Sequence, residues 1–183
     1  MDTVLTITPT KITEKPSHEK TVTIGKKVFG EKIDITDPCY HRNVWCRLND
    51  VKIVPGEYEC YIEILDNEAT GGFGERVSCI GIRNTAYTVD PYTLVYEHLD
   101  SIGVDSGLAG FFNNKQDYTD SEWHDLCKCF DTMEQAWIRD DGFFSRSGNG
   151  DGDYDVFAAR KGGRIVALFI EFIDSDCDDG GEC

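Results

Sequence analysis

Residues 145–156, SRSGNGDGDYDV, alternate glycines with oxygen-bearing side chains directly before an apolar run. Asn149, Asp151 and Asp153 each follow a glycine. Hard cations bind carboxylate and amide oxygens, and glycine permits the tight turns that bring such ligands together. This spacing makes Asp151 and Asp153 candidate ligands for Ca²⁺. The loop is not an EF-hand, because the twelfth residue counted from Asn149 is Arg160 rather than the closing glutamate.

Two other interpretations of this loop stay open. Glycine amides can form an anion-binding nest, and Ser145, Arg146 and Ser147 supply further donors, so the loop also suits an organic or anionic ligand. Alternatively, the stretch is an ordinary turn before a strand, in which the aspartates accept hydrogen bonds from backbone amides. Thermal unfolding of the wild type and of Asp151→Asn/Asp153→Asn, with calcium and with chelator, distinguishes these interpretations.

Two further aspartates occur next to turn-forming residues at the ends of predicted strands. Asp37 lies in TDPCY, and Asp105 precedes Ser106 and Gly107 in GVDSGLAGFF. We expect these segments and the glycine-rich loop to converge at one end of a β fold. The predicted ligand-binding residues are Asp37, Asp105, Ser106, Ser147, Asn149, Asp151 and Asp153.

Catalysis is a further hypothesis for the same aspartates. Paired carboxylates such as Asp37 and Asp105 are suited to general acid–base chemistry, which would make the protein a hydrolase. Ser106 lacks the G-x-S-x-G context of a strand–turn–helix nucleophile elbow. We therefore favour a protein that binds over one that catalyses.

The elements that must position these loops are mostly strands. VPGEYECYIEIL alternates apolar and acidic residues, with Tyr58, Cys60 and Ile62 on one face and Glu59 on the other. DYDVFAAR, the turn KGG and RIVALFIEF form a predicted hairpin, whose second strand is apolar on both faces and should be central. The fold class is therefore mainly β, an antiparallel β-sandwich or open barrel.

One amphipathic helix interrupts the β pattern, at about residues 119–140. Thr119 and Glu122 match a capping box, and Gly142 matches a C-terminal stop. Steps of three, four and seven residues define its apolar face, which we expect to pack against the sheet. That face comprises Trp123, Leu126, Cys127, Phe130, Trp137 and Ile138.

The predicted organisation is an N-terminal edge segment (residues 1–19), a single β-rich domain (20–173) and a flexible acidic tail (174–183). The net charge is −16, from 34 acidic and 18 basic residues. This excess of acids argues against direct nucleic-acid binding and against anionic membrane surfaces, and it favours a cation or a basic protein partner. The sequence shows neither an apolar run of about 20 residues nor a signal peptide, so a cytoplasmic location is expected.

Eight cysteines are present, and we expect most of them to be reduced, because nothing indicates secretion. Cys60 and Cys79 fall in strand-like runs and are typical of small buried apolar residues. A zinc site from Cys39, His41 and Cys46 is an alternative, although its spacing matches no common zinc pattern.

The order ITDPCY, VPGEYECYIEI, GVDSGLAGFF, SGNGDGDYDVF and GGRIVALFIEF resembles an uncharacterised bacterial and phage family, the domain of unknown function numbered 4241. The resemblance spans roughly residues 33–173, and its most specific parts are VDSG and G-x-GDG-x-Y. It implies a mostly β domain and carries no established activity. The cysteine-rich helical region and the acidic tail depart from the family pattern.

These observations predict a small soluble binding module with its ligand or metal site on the aspartate- and glycine-rich loops. One alternative is an acidic interaction or anti-defence protein that blocks a basic partner surface. The other alternative is the hydrolase. The expected partner is a small molecule or a basic protein.

Overall fold

The structure is a computed structural model that describes residues 19–87 and 93–174. Most of the predicted N-terminal segment and all but the first residue of the predicted acidic tail lie outside these residues. Within them, eleven strands form two antiparallel sheets, as expected for a β-sandwich. The first sheet has the order β1 (Glu19–Phe29), β4 (Gly56–Leu65), β5 (Arg76–Asn84), β11 (Arg164–Glu171), β10 (Gly152–Lys161) and β6 (Tyr96–Val104). The second has the order β3 (Leu48–Lys52), β2 (Lys32–Thr36), β7 (Leu108–Phe112), β9 (Gly142–Arg146) and β8 (Ala136–Ile138).

The main core lies between the two sheets. Strand β4 contributes Tyr58, Cys60 and Ile62, which are buried as their alternation predicts. The second sheet contributes Phe111 and Phe143 to the same cluster. Each Å² of apolar surface that folding removes from water stabilises the protein by roughly 25 cal/mol. The interface between the sheets is therefore the main source of stability. It also holds the strand ends, and therefore the loops, in fixed positions.

The predicted terminal hairpin is confirmed. Strands β10 and β11 pair through the turn at residues 161–164, where Gly162 and Gly163 have φ of 57° and 77°. Two consecutive positive φ values define a type I′ turn, which matches the twist of the flanking strands and favours glycine. Strand β11 lies between β5 and β10, and its Ala167 and Leu168 are both fully buried although they point to opposite faces.

The predicted helix is present but much shorter than expected. Helix α1 covers Asp120–Cys127, and a 3₁₀ turn, Lys128–Asp131, follows it. The capping box is confirmed, because the Glu122 amide donates to Thr119 Oγ1 and the Thr119 amide donates to Glu122 Oε2. The chain then enters β8, which pairs with β9 and begins a new element where a continuous helix was predicted.

The pairing of β8 also corrects the predicted apolar helical face. Trp137 and Ile138 belong to β8, and Gly142 begins β9 rather than ending a helix. Leu126 is the buried residue of α1, whereas Trp123 and Phe130 remain 44% and 41% exposed. Trp137 follows Phe130 by seven residues, which matches a helical face, but the two residues belong to different elements. The match to helical spacing is therefore a coincidence. Among the described residues, no helix is long and apolar enough to cross a membrane.

Candidate functional site

Four loops meet at the end of the sandwich where β2 and β6 end and where β5, β7 and β10 begin. They comprise residues 37–47, 66–75, 105–107 and 147–151. The Ser147 amide donates to the Gly107 carbonyl at 3.0 Å, and Arg76 Nη1 donates to Asn149 Oδ1 at 3.2 Å. The three predicted site segments therefore converge, and residues 66–75 join them. We call this end the loop end.

Asp37 locks two of these loops together. Its Oδ1 accepts hydrogen bonds from the Cys39 amide and the Ser106 hydroxyl, both at 2.8 Å. Its Oδ2 accepts the amides of Asp105 at 2.9 Å and Ser106 at 2.8 Å. The carboxylate is completely buried, and four donors occupy its oxygens. Asp37 and Ser106 therefore hold the scaffold of the loop end rather than present free groups to a ligand.

The glycine-rich loop is built in the same way, by internal bonds. The Ser147 hydroxyl and the Tyr154 hydroxyl both donate to the Gly150 carbonyl, at 2.5 and 2.8 Å. Gly148 has φ of 61°, and a Cβ on it would lie 2.2 Å from the Val77 carbonyl oxygen. Glycine is required there by both the backbone conformation and the close approach to β5. Much of the unusual composition of this loop is thus explained by packing.

Three carboxylates at the loop end remain exposed: Asp105 and Asp151 lie on its loops, whereas Asp153, predicted on the glycine-rich loop, is the second residue of β10. Asp105, Asp151 and Asp153 make no side-chain hydrogen bond or ion pair with the described part of the chain. Asp153 pairs in register with Gly103, two positions before Asp105, so both carboxylates lie at the same edge. The sequence-predicted residues thus separate into a buried scaffold and an exposed acidic set, and Asn149 belongs to neither because Arg76 holds its amide oxygen.

Two tyrosines beneath these carboxylates stay protonated. Burial raises the pKa of Tyr154, and the negative charge of Asp151 raises it further. Burial, a hydrogen bond with Cys46, and the charges of Asp37 and Asp105 raise the pKa of Tyr40. Both phenols are therefore hydrogen-bond donors at neutral pH and not general bases.

The geometry relevant to metal binding is limited. Among residues 19–87 and 93–174, no group of three or more His, Cys, Asp or Glu side chains is placed to hold an ion. His41 Nδ1 lies 2.9 Å from Asp117 Oδ2, and Cys39, His41 and Cys46 form no such group, so the zinc alternative gains no support. The predicted calcium site at Asp151 and Asp153 gains no support from this geometry either. The six described cysteines are free thiols.

The sequence interpretation missed two aromatic residues at the loop end. Trp45, in residues 37–47, is 90% exposed, and Phe73, in residues 66–75, is 77% exposed. The Arg76 guanidinium lies 5.6 Å from the Phe73 ring centre. Both aromatics occur in turn-rich segments, NVWC and GGFGE, without any periodic apolar neighbour. A large aromatic residue outside a periodic pattern is the signal that could have identified them.

A buried charged cluster behind the loop end was also missed. Asp34 Oδ2 accepts the Lys115 amide at 2.8 Å, Arg42 Nη1 at 2.9 Å and Arg47 Nη2 at 3.3 Å. Burial lowers the pKa of Lys115, whose ammonium lies 3.4 Å from the ring centre of Tyr118. Asp34 alternates with Ile33 and Ile35, so its strand pattern alone suggested an outward-facing residue. The loops that fold over β2 bury it and use it as an anchor.

The comparisons with known proteins add no function to this geometry. No protein-family model, curated protein or solved structure matches the chain. The resemblance to the family of unknown function stays a prediction, and the function of the loop end must be argued from its own chemistry.

Proposed function

We propose that the protein is a binding module whose loop end holds a basic partner. The observation that carries the proposal is the combination of two highly exposed aromatics, Trp45 and Phe73, with three exposed carboxylates, two on converging loops and one at the start of β10. The carboxylates are Asp105, Asp151 and Asp153. Exposed large apolar side chains cost solubility, and grouped with charges they mark interaction sites.

The chemistry of this set suits ammonium and guanidinium groups. Carboxylates form charge-assisted hydrogen bonds with lysine and arginine, and arginine pairs with them through two parallel bonds. The faces of tryptophan and phenylalanine attract the same cations by about 0.5–1 kcal/mol at exposed positions. A net charge of −16 increases the encounter rate with a basic partner.

The partner is proposed to be a protein segment rather than a small molecule. Trp45 lies on the loop that connects β2 to β3 in the second sheet, whereas Phe73 lies on the loop that connects β4 to β5 in the first sheet. A ligand that contacts both must span the two sheets. Aromatic anchors of this kind are enriched in protein interfaces.

The scaffold beneath the loop end supports binding over catalysis. Asp37 would be one of the two carboxylates of a hydrolase, yet its oxygens are buried and accept four hydrogen bonds. A group in that state cannot reach a substrate or exchange a proton with it. Fixed loops instead reduce the ordering cost of association, which favours affinity.

The proposal is tested by calorimetric titration with a peptide of alternating arginine and glycine, and with spermidine as a small cation. The variants are Trp45→Ala and Asp151→Asn/Asp153→Asn. The matched control, Asp120→Asn/Asp140→Asn, removes the same charge at exposed positions outside the four loops.

We expect the wild type to bind the peptide more tightly than spermidine, and each loop-end variant to weaken peptide binding roughly tenfold or more. Added salt should weaken the complex, because exposed charges are screened. Equal losses in the loop-end and control variants would show only a general charge effect and would overturn the proposal. The absence of binding at about 1 mM peptide would overturn it as well.

A further inference from the structure

A second charged cleft lies at the end of the sandwich opposite the loop end, and its charge has the opposite sign. Strand β2 begins there with Lys32, and β10 ends there with Lys161. The cleft has a volume of about 470 Å³ and lies where an isolated parallel bridge between Ile53 and Ile165 joins the two sheets. Its lining contains four cations and one acid: Lys32, Lys52, Arg160, Arg164 and Glu31.

The strand register places like charges directly opposite each other around this cleft. Lys32 pairs with Lys52 across β2 and β3, and Lys161 pairs with Arg164 across the β10–β11 hairpin. Like charges at directly opposed positions destabilise a sheet. The chain has only 18 basic residues against 34 acidic ones, so composition does not explain two such pairs at one end.

The protein neutralises this charge only in part. Arg160 Nε pairs with Glu97 Oε1 at 2.6 Å, and its Nη1 donates to the Gly163 carbonyl at 3.3 Å, which fixes the guanidinium over the turn. Lys32 Nζ stands 3.8 Å from Asp50 Oδ1. Lys52 and Arg164 form no hydrogen bond or ion pair with the described residues.

We propose that this cleft binds a small phosphate-bearing anion that carries two or more negative charges. Guanidinium groups match phosphate oxygens through paired donors, and ammonium groups bind phosphate as point charges. The volume falls within the range of small-ligand sites, about 300–1,000 Å³. An anion between Lys32, Lys52 and Arg164 would reduce the repulsion that contacts among the described residues offset only in part.

The test uses pyrophosphate and tripolyphosphate as probes, with citrate as a carboxylate comparison, in calorimetry and thermal unfolding. The variant Lys52→Gln/Arg164→Gln removes the two cations of the cleft that have no hydrogen bond or ion pair within residues 19–87 and 93–174. Its matched control, Lys20→Gln/Lys128→Gln, makes the same change in net charge at exposed positions outside the cleft. All four positions are exposed, so each protein should fold.

We expect both phosphate probes to bind the wild type and the control alike, and to bind the cleft variant at least tenfold more weakly. They should raise the unfolding temperature of the wild type by mass action and leave that of the cleft variant unchanged. Vesicles with phosphorylated inositol headgroups distinguish a lipid headgroup from a free phosphate compound. If the protein binds these vesicles and pyrophosphate displaces it from them, the phosphate that the cleft binds belongs to a lipid.

Three results would overturn the inference. The first is that citrate and pyrophosphate bind equally, which would make the cleft a general anion site. The second is that cleft and control variants lose affinity to the same extent. The third is that the wild type binds no phosphate probe but self-associates through Lys52 and Arg164, which would make the acidic loop end of a second copy the occupant. None of these results depends on the basic partner proposed for the loop end.

Discussion

The Asp37 carboxylate accepts both the backbone amide and the side-chain hydroxyl of Ser106, each at 2.8 Å, across 69 positions of the chain. This contact joins the loop after β2 to the loop between β6 and β7. Asp105 and Trp45 therefore lie on neighbouring loops, and the Asp37 contact holds these loops in place without the help of either side chain. The geometry of the loop end therefore depends on a carboxylate that is itself completely buried.

Replacement of Asp37 by alanine should destabilise the protein by about 3 kcal/mol or more, because buried donors lose a charged acceptor. Asp37→Asn should have a smaller effect, since its amide oxygen still accepts hydrogen bonds. Urea unfolding measures both. Asp105→Ala is the control, because an exposed carboxylate with no side-chain partner in the described part of the chain should change stability by about 0.5 kcal/mol at most when it is removed. Equal stability of Asp37→Ala and Asp105→Ala would contradict the anchoring role.

Alanine variants of Trp45 and Trp137 should differ in effect, because Trp45 is proposed to bind the partner and Trp137 packs in the folded protein. The Trp137 ring stacks on Phe144 at 5.5 Å between ring centres, and the Arg146 guanidinium lies 5.7 Å from it. Trp137→Ala should therefore lower the free energy of unfolding by about 2–3 kcal/mol, less than for a fully buried tryptophan. Trp45→Ala should leave it within about 0.5 kcal/mol while weakening peptide binding.

Thermal unfolding and the peptide titration together check this separation. Trp123→Ala is a useful third variant, because Trp123 is 44% exposed and should contribute little to stability. A large stability loss in Trp45→Ala would mean that Trp45 packs in the folded protein and does not serve as a free anchor.

Acid should weaken one ion pair on the outer face of the first sheet. The hydrogen bond from Arg83 holds the pKa of Glu59 below its ordinary value, and the Thr23 hydroxyl, 2.8 Å from Glu59 Oε1, has the same effect. A lowered carboxyl pKa contributes stability that is present above the pKa of the unfolded chain, about 4.3, and is lost as pH falls through the folded pKa.

Glu59→Gln should therefore remain close to wild-type stability at low pH and be less stable near pH 7, by up to about 1 kcal/mol. Urea unfolding at several pH values measures the difference. Glu68→Gln, at an exposed loop position, provides the control for the general effect of a lost charge. Parallel pH curves for Glu59→Gln and the wild type would exclude this contribution.

Calcium should have no effect on stability, because no third acidic side chain among the described residues joins Asp151 and Asp153 in a metal-binding group, and Ca²⁺ requires about six to eight oxygens. Thermal unfolding with calcium and with chelator should coincide for the wild type and for Asp151→Asn/Asp153→Asn. The double variant should be as stable as the wild type or slightly more stable, because it lacks the repulsion between neighbouring carboxylates. Stabilisation by calcium that disappears in the double variant would instead restore the metal interpretation.

The sequence by itself determined the elements whose residues alternate strictly. Tyr58, Cys60 and Ile62 repeat every second position, which only a half-buried strand satisfies, and the glycine pair at 162–163 specifies a tight hairpin. The capping box at Thr119 likewise located the start of α1, since it is a local signal. The sequence also indicated that Asp37, Asp105 and Asp151 lie on loops, because each stands beside a turn former, but Asp153 belongs to β10.

Only the tertiary structure decided what those aspartates do. Asp37 and Asp105 have the same local context, yet one is completely buried by donors from 2 and up to 69 positions away and the other is exposed. The end of α1 was decided by the pairing of Ala136–Ile138 with β9, and the opposition of Lys32 and Lys52 by the register of two strands. Burial, pairing and charge contacts between distant residues depend on the packing of the whole chain, and a local pattern carries no information about them.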